Sequence, residues 1–291
     1  MAIHFLTYCT PNFLRPAQTL IKSAKKFGLK NIHFYQRHDL EKTKFYQENK
    51  HILDLPQRAG CSQWKIYYMH HVYSQMQEGD ILFYVDAGAD IIANPQPLFD
   101  IAEKENLCLF NINNNPKNKE WTKRDAFVYM DCDIEEYYEA YQTNAFCQLY
   151  KKTPFCDKFL NEMFQFAQDI RIIADLENVS GKPNLEGFVE HRFDQSILGL
   201  LAQKYKVETH RYPTQWGNHQ KLEKHRVKGE WLAQPYSKQP MLNSNYPTIF
   251  NHHRNYSLVK DMQTKKFWLA KYYHTKHELK MALLKANLLK K

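Results

Sequence analysis

The chain has 291 residues, 43% of them hydrophobic and 14% aromatic, with only 9 Gly and 12 Pro. That supports a buried core of one large domain or two tightly fused ones and excludes a disordered or low-complexity polypeptide. A formal charge of +9 suits an anionic partner, whether nucleic acid, an acidic membrane face, a nucleotide diphosphate or an acidic glycan, and does not choose among them.

Taken in order, Ile3 to Tyr8 reads as a first strand, β-branched and aromatic. Pro11-Asn12 opens a helix whose apolar face carries Phe13, Ala17, Leu20, Ile21 and Ala24, closed by Gly28. Ile32 to Tyr35 is a second strand, residues 41–49 a polar helix, and Ile52-Leu53 an added short strand. From Ser62 the spacing of Ile66, Met69, Val72, Tyr73 and Met76 predicts a helix, opened by Trp64-Lys65. Gly79-Asp80 then turns into Ile81 to Val85, a continuous apolar run of the kind buried on both faces of a sheet. Pro95 and Pro97 precede another helix and a strand over Leu107 to Phe110. Further on, helices are predicted from Asp157 to Ala167 and from His191 to Lys204, separated by the loop Gly181-Lys182-Pro183-Asn184. Residues 213–247 are polar, aromatic and irregular, a segment suited to covering a site. The lysine-rich stretch from Lys260 to Lys291 carries Phe267, Trp268 and a leucine series that fit one or two helices.

Strands alternating with helices imply right-handed crossovers and a mostly parallel sheet. Ligands of such sheets lie beyond the carboxyl ends of the strands, and Asp86 stands there, one residue past an apolar run. In Phe83-Tyr84-Val85-Asp86-Ala87-Gly88-Ala89-Asp90 a carboxylate at a strand end can hold a divalent metal, and Gly88 admits phosphate or ribose close to the backbone. A turn cap at Asp86 and a solvated Asp90 account for the same octet equally well. In His191-Arg192-Phe193-Asp194-Gln195-Ser196, Asp194 fits a helix start on capping and dipole grounds alone, whereas His191 and Arg192 exceed what a cap needs. Phe250-Asn251-His252-His253-Arg254 offers imidazole ligands and a phosphate partner, and matters only if folding carries it to Asp86. Lys65, in the first turn of its helix, stands where it can reach a phosphate. The six cysteines have no zinc or redox spacing and read as small core residues of a reduced compartment. Without a signal-peptide pattern or a bilayer-length apolar run, a cytoplasmic location is expected.

The Tyr84-Val85-Asp86-Ala87-Gly88 turn, the Trp64-Lys65 pair before it and the later His191-to-Ser196 motif together resemble the GT-A glycosyltransferases that build bacterial capsules and lipopolysaccharides. The resemblance runs over residues 3–255. It implies an α/β, Rossmann-like fold with a mostly parallel central sheet flanked by helices. Residues 1–112 would be a nucleotide-binding half and 113–255 a sugar and acceptor half, with 256–291 a basic helical extension. The implied partners are a nucleotide-sugar donor, UDP-sugars favoured, and a glycan or lipid-linked acceptor, with the extension in peripheral contact with an anionic membrane.

The implied donor-binding residues are Thr7, Tyr8, Lys65, Asp86, Ala87, Gly88, His191, Arg192 and Arg254. The implied cofactor is Mn2+ or Mg2+, held by Asp86 with Asp90, His252 and His253. The family's usual acidic motif has two aspartates one residue apart; here Gly88 takes the second place. Asp194-Gln195 at a helix start, with a later His, is similar to the retaining family 8 transferases. By that likeness Asp194 positions the donor sugar and Gln195 faces its reacting carbon. If the reaction inverts instead, Asp194 is the candidate base. A basic nucleic-acid-binding protein is the alternative outside catalysis, though no recognised nucleic-acid motif gathers the basic residues. Nucleotidyl transfer ranks third, because Tyr8-Cys9-Thr10-Pro11 replaces the glycine-rich loop expected after the first strand.

Overall fold

The computed structural model describes residues 1–112, 115–214, 217 and 243–252. Its centre is a six-stranded sheet in the order β2-β1-β3-β6-β5-β7. These strands are β1 (Ile3–Cys9), β2 (Asn31–Gln36), β3 (Ile81–Val85), β5 (Leu107–Asn111), β6 (Thr143–Lys151) and β7 (Thr209–His210). β1 runs parallel to β2 and β3, and β5 parallel to β7, while β6 lies antiparallel to both β3 and β5. The sheet is therefore mostly parallel, with one reversed strand at its centre. A second ladder joins β4 (Ala89–Ile91) to β8 (Phe250–His252), antiparallel.

Strand periodicity divides the core between two faces. From β3, Leu82 and Tyr84 enter a cluster with the Gln63–Ser74, Pro154–Phe166 and Asp194–Lys204 helices. Ile81, Phe83 and Val85 point the other way, towards the Leu14–Lys26 and Gln96–Glu105 helices and Phe250. All five β3 side chains are fully buried. Burial of each large apolar one contributes roughly 1.5–3 kcal/mol, which fixes the strand that delivers Asp86 to the carboxyl edge of the sheet.

Several expectations are revised. Ile52-Leu53 is no strand but the last turn of the Lys44–Leu53 helix, buried on the same face as Phe45, Tyr46 and Asn49. The helix expected from His191 begins at Asp194. No element is predicted between 113 and 156, yet β6, the reversed central strand, lies there. The six cysteines are buried and free. Among the described residues, no helix is long and apolar enough to cross a membrane. Most of the 213–247 segment, and His253, Arg254 and the 256–291 extension, lie outside the described residues.

Candidate functional site

The site is assembled at the carboxyl ends of the parallel strands. β3 stops at Val85 because the Asp86 amide takes one more bond, to the Phe146 carbonyl at 2.9 Å, before Gly88 N bonds back to Asp86 O at 2.8 Å and turns the chain into β4. Ala87 packs with Cys9 and Ala17, tying this turn to the end of β1. The Asp86 side chain is 39% exposed, and its Oδ1 accepts from the Tyr84 hydroxyl at 2.6 Å. Burial, then the Asp86 charge, holds the Tyr84 hydroxyl far above its ordinary pKa, so it stays a donor.

Lys65 projects from the first turn of the Gln63–Ser74 helix and is almost wholly buried. Its Nζ lies 3.0 Å from Asp86 Oδ1 and 2.9 Å from Asp194 Oδ2, and it donates to the Ala145 carbonyl at 3.2 Å. Asp194 is thus held in a close ion pair with the ammonium. Burial pulls the Lys65 pKa down, but the charges of Asp194 and Asp86 outweigh it and the net direction is up, so Lys65 remains cationic. Asp194 is pushed up by burial, against the lowering field of Lys65.

A strained backbone presents both partners. Phe193, just before Asp194, sits at φ 54°, ψ −123°, a conformation that costs a bulky L-residue on the order of 1–3 kcal/mol. Ahead of Lys65, residues Arg58, Ala59, Gly60, Cys61 and Ser62 all have φ between 48° and 91°. Cys61 N bonds Gln57 O at 2.7 Å and Ser62 N reaches Arg58 O at 3.4 Å, making one turn of left-handed helix. For residues with a Cβ this hand costs roughly 1–2 kcal/mol each. At Gly60 a Cβ would stand 2.5 Å from the Leu53 carbonyl oxygen, so only glycine fits. The local sequence carries little sign of this turn, since Gly60 stands alone among residues that disfavour it.

The other candidates divide. Gln195 is close by: its Nε2 donates to Gln142 Oε1 at 3.1 Å, and Gln142 Nε2 donates to Asn118 Oδ1 and Thr122 Oγ1 at 2.9 and 3.0 Å. Gly199 permits this helix to approach Asn118, whose Oδ1 would lie 2.8 Å from an added Cβ. Thr7 Oγ1 and Tyr8 Oη are buried with no hydrogen-bond partner among the described residues, and the Tyr8 ring stacks on Trp64 at 3.9 Å. Arg192 pairs with Glu190 at 2.8 Å and lies over the Trp121 ring. His191 is placed in the interior: it is 1% exposed, and its Nδ1 accepts from the Lys123 amide at 3.2 Å. Burial, then the nearby Lys123 charge, lowers its pKa to about 3, which keeps the ring neutral.

Folding does carry β8 to the Asp86 turn. His252 faces Ala89 and Asn251 faces Asp90 in the β4–β8 ladder. The His252 ring packs 4.5 Å from Phe146 and its Nδ1 meets the Tyr212 hydroxyl at 3.1 Å. As a metal site, however, the described residues do not fit. Among them no three His, Cys, Asp or Glu side chains gather at metal-holding distance. One oxygen of the exposed carboxylate, Asp86 Oδ1, is already engaged by Tyr84 and Lys65. Among the described residues Asp86, Asp90 and His252 are not gathered as a ligand set, and His253 lies outside them.

No family model matches the chain, and no curated protein does. Among solved structures it is similar to mouse xyloside xylosyltransferase 1, apo form, at 11% identity over 72% of this chain and 84% of that one, TM-score 0.42. It is similar to the galactosyltransferase LgtC in complex with donor and acceptor sugar analogues, at 13% identity over 94% and 95%, TM-score 0.35. A putative glucose-1-phosphate thymidylyltransferase from Bacillus anthracis is similar at 9% identity over 72% and 85%, TM-score 0.32. Likeness at this level decides nothing about chemistry, which rests on the residues themselves.

Proposed function

We propose that the protein is a glycosyltransferase that moves a hexose from a nucleotide-sugar donor, a UDP-sugar in the favoured case, to a glycan or lipid-linked acceptor in bacterial surface polysaccharide synthesis. The observation that carries the proposal is the Lys65 ammonium held between Asp86 and Asp194 at the carboxyl edge of the sheet. This arrangement couples a buried cation to two carboxylates of unequal exposure, the outer of which, Asp86, stands at the sheet edge. In the reaction the bond from the anomeric carbon to the diphosphate breaks and a bond to the acceptor hydroxyl oxygen forms. Charge builds on the departing diphosphate, where Lys65 stabilises it.

Asp194 orients the sugar ring and Gln195, aligned by Gln142, lies along the reacting carbon. The hydroxyls of Thr7 and Tyr8, lacking partners, take the nucleoside. A buried, ion-paired Asp194 suits a positioning group better than a base, which favours retention; the acceptor's proton then leaves with the diphosphate oxygen. Residues 1–112 form the nucleotide half and 113–255 the sugar and acceptor half, and the basic 256–291 extension rests on an anionic membrane face at the cytoplasmic side.

The test is nucleotide release from a panel of UDP-, GDP- and CMP-sugars by the wild type and by Asp86→Ala and Asp194→Asn. Slow release from one donor, reduced about 10²–10³-fold in Asp194→Asn, is the expected result. Failure to bind or cleave any donor would sink the reading, and salt-dependent retention on nucleic acid in its place would replace it.

A further inference from the structure

We propose that Asn118 and Gln142 form a one-way hydrogen-bond relay, anchored on the Tyr137 carbonyl, that turns the carbonyl end of the Gln195 amide towards the donor sugar. The inference rests on the transferase reading above and deepens it by adding two positioning residues to that site.

A side-chain amide has a donor end and an acceptor end of nearly equal size, so shape alone does not orient it. Here the choice is made at a group that can only accept. Asn118 Nδ2 donates to the Tyr137 carbonyl at 3.1 Å, which leaves Asn118 Oδ1 to face Gln142. Gln142 must then turn its Nε2 inwards, where it donates to Asn118 Oδ1 at 2.9 Å and to Thr122 Oγ1 at 3.0 Å. Its Oε1 is left to accept from Gln195 Nε2 at 3.1 Å. Each amide hands its orientation to the next, and Gln195 Oε1 is the end left over.

Burial enforces the direction. Asn118, Gln142 and Thr122 are at most 1% exposed, while Gln195 is half-buried. Inside, a reversed amide sets acceptor against acceptor and leaves groups unsatisfied, at about 1–3 kcal/mol each. The main chain pins both positioning residues: Asn118 N bonds the Ala140 carbonyl and Gln142 N the Pro116 carbonyl, each at 2.8 Å. Gly199 lets the Asp194–Lys204 helix close on them, since a Cβ there would stand 2.8 Å from Asn118 Oδ1 and 3.5 Å from Gln142 Nε2. What this network adds over an apolar filling is direction. As the bond from the anomeric carbon to the diphosphate breaks, positive charge grows on the sugar ring. A fixed carbonyl oxygen stabilises that charge and an N–H end opposes it. The unreacted sugar carries little of it, so the orientation is felt in the rate more than in binding.

The experiment measures kcat and KM for nucleotide release, between about pH 5 and 9, from the donor that the panel selects. It uses the full chain as wild type, Gln142→Met and Gln142→Glu, with melting curves for each. Gln142→Met severs the relay, so kcat should fall about ten- to a hundredfold while KM stays within about threefold. Gln142→Glu keeps the shape. Protonated, its hydroxyl donates to Asn118 and its other oxygen accepts from Gln195; ionised, it sets a carboxylate oxygen against Asn118 Oδ1. Its kcat relative to wild type should be near full at the acid end and fall as pH rises through the titration of that buried carboxyl. A wild-type kcat in Gln142→Met, or a Gln142→Glu ratio that stays flat with pH, would overturn the relay and leave the transferase reading standing. Should Gln142→Met not fold, the Gln142→Glu profile decides alone. If the wild type releases nucleotide from no donor, both fall together.

Discussion

Two lysines lie buried on the same side of this sheet, and their surroundings give them opposite characters. Lys65 is flanked by two carboxylates within 3.0 Å, and their charges hold its pKa above the ordinary value despite burial. Lys123 is buried as deeply, but its Nζ donates to the Leu176 carbonyl at 2.9 Å and its nearest carboxylate, Asp125, is 3.8 Å away. There burial prevails over the attraction of Asp125, Asp175 and Asp169, and the pKa falls. Burial alone therefore does not mark a functional lysine. The number and distance of its counter-charges, and whether one of those faces outward as Asp86 does, separate the cation assigned to the proposed site from one that pins a loop.

The sharpest way to break that contrast is Lys65→Met. It leaves two carboxylates with no shared cation, one of them buried, so stability in denaturant titration should fall by about 3–5 kcal/mol, with donor cleavage abolished. Loss of stability without loss of cleavage would move Lys65 to the structural side of the comparison. Asp194→Asn comes next: folding persists because Lys65 keeps Asp86, while donor cleavage falls about 10²–10³-fold.

His191, beside Lys123, supplies a third effect. Its folded pKa of about 3 lies below the ordinary 6.5. Its contribution to stability is thus complete above pH 6.5 and is lost as pH falls towards 3, roughly 3–5 kcal/mol across that window. His191→Gln should flatten the wild-type slope between pH 6.5 and 3 in acid titrations followed by circular dichroism.

A smaller effect separates the two lysines by sign. Lys65, with its pKa raised, supports the fold fully below about pH 10.4 and loses that support as pH rises through its folded value. Lys123, with its pKa lowered, opposes the fold while the unfolded chain is protonated. Stability should gain from it as pH rises from that depressed value towards about 10.4. The denaturant midpoint of the wild type should therefore rise relative to that of Lys123→Met between about pH 8 and 10.5; a relative fall would reverse the assignment. The least effect is expected on removing 276–291: donor cleavage stays unchanged while binding to anionic vesicles weakens. Unchanged vesicle binding would end the membrane role of the extension.

Much of this arrangement was legible beforehand because it follows from local pattern. The apolar run Ile81–Val85 stopped by Asp86 announced a buried strand and where it ends, and the spacing after Ser62 announced the helix that presents Lys65. β6 was not legible. Its buried Gln148 interrupts the apolar pattern, and only the fold discloses that this amide is satisfied by the Ala145 carbonyl and the Tyr150 hydroxyl. Ile52-Leu53 misled because two adjacent apolar residues read alike in a strand and in a helix's last turn.

The left-handed turn at Arg58–Ser62 was hidden for a different reason. Four of its five residues carry side chains that disfavour it, so tertiary packing, not propensity, sets its conformation. His191 stood out as too polar for a helix cap, and its function is interior, bonding the Lys123 amide. The meeting of Lys65 with Asp194 joins distant parts of the chain, and no local pattern encodes such a contact.

The most direct test is a crystal structure of the full chain with the donor nucleotide sugar that the cleavage panel selects. The account predicts the diphosphate at the sheet edge beside Lys65 and Asp86, the sugar against Asp194 and Gln195, and the nucleoside at Thr7 and Tyr8. A donor bound elsewhere, with the Lys65, Asp86 and Asp194 ion pairs undisturbed, would contradict it.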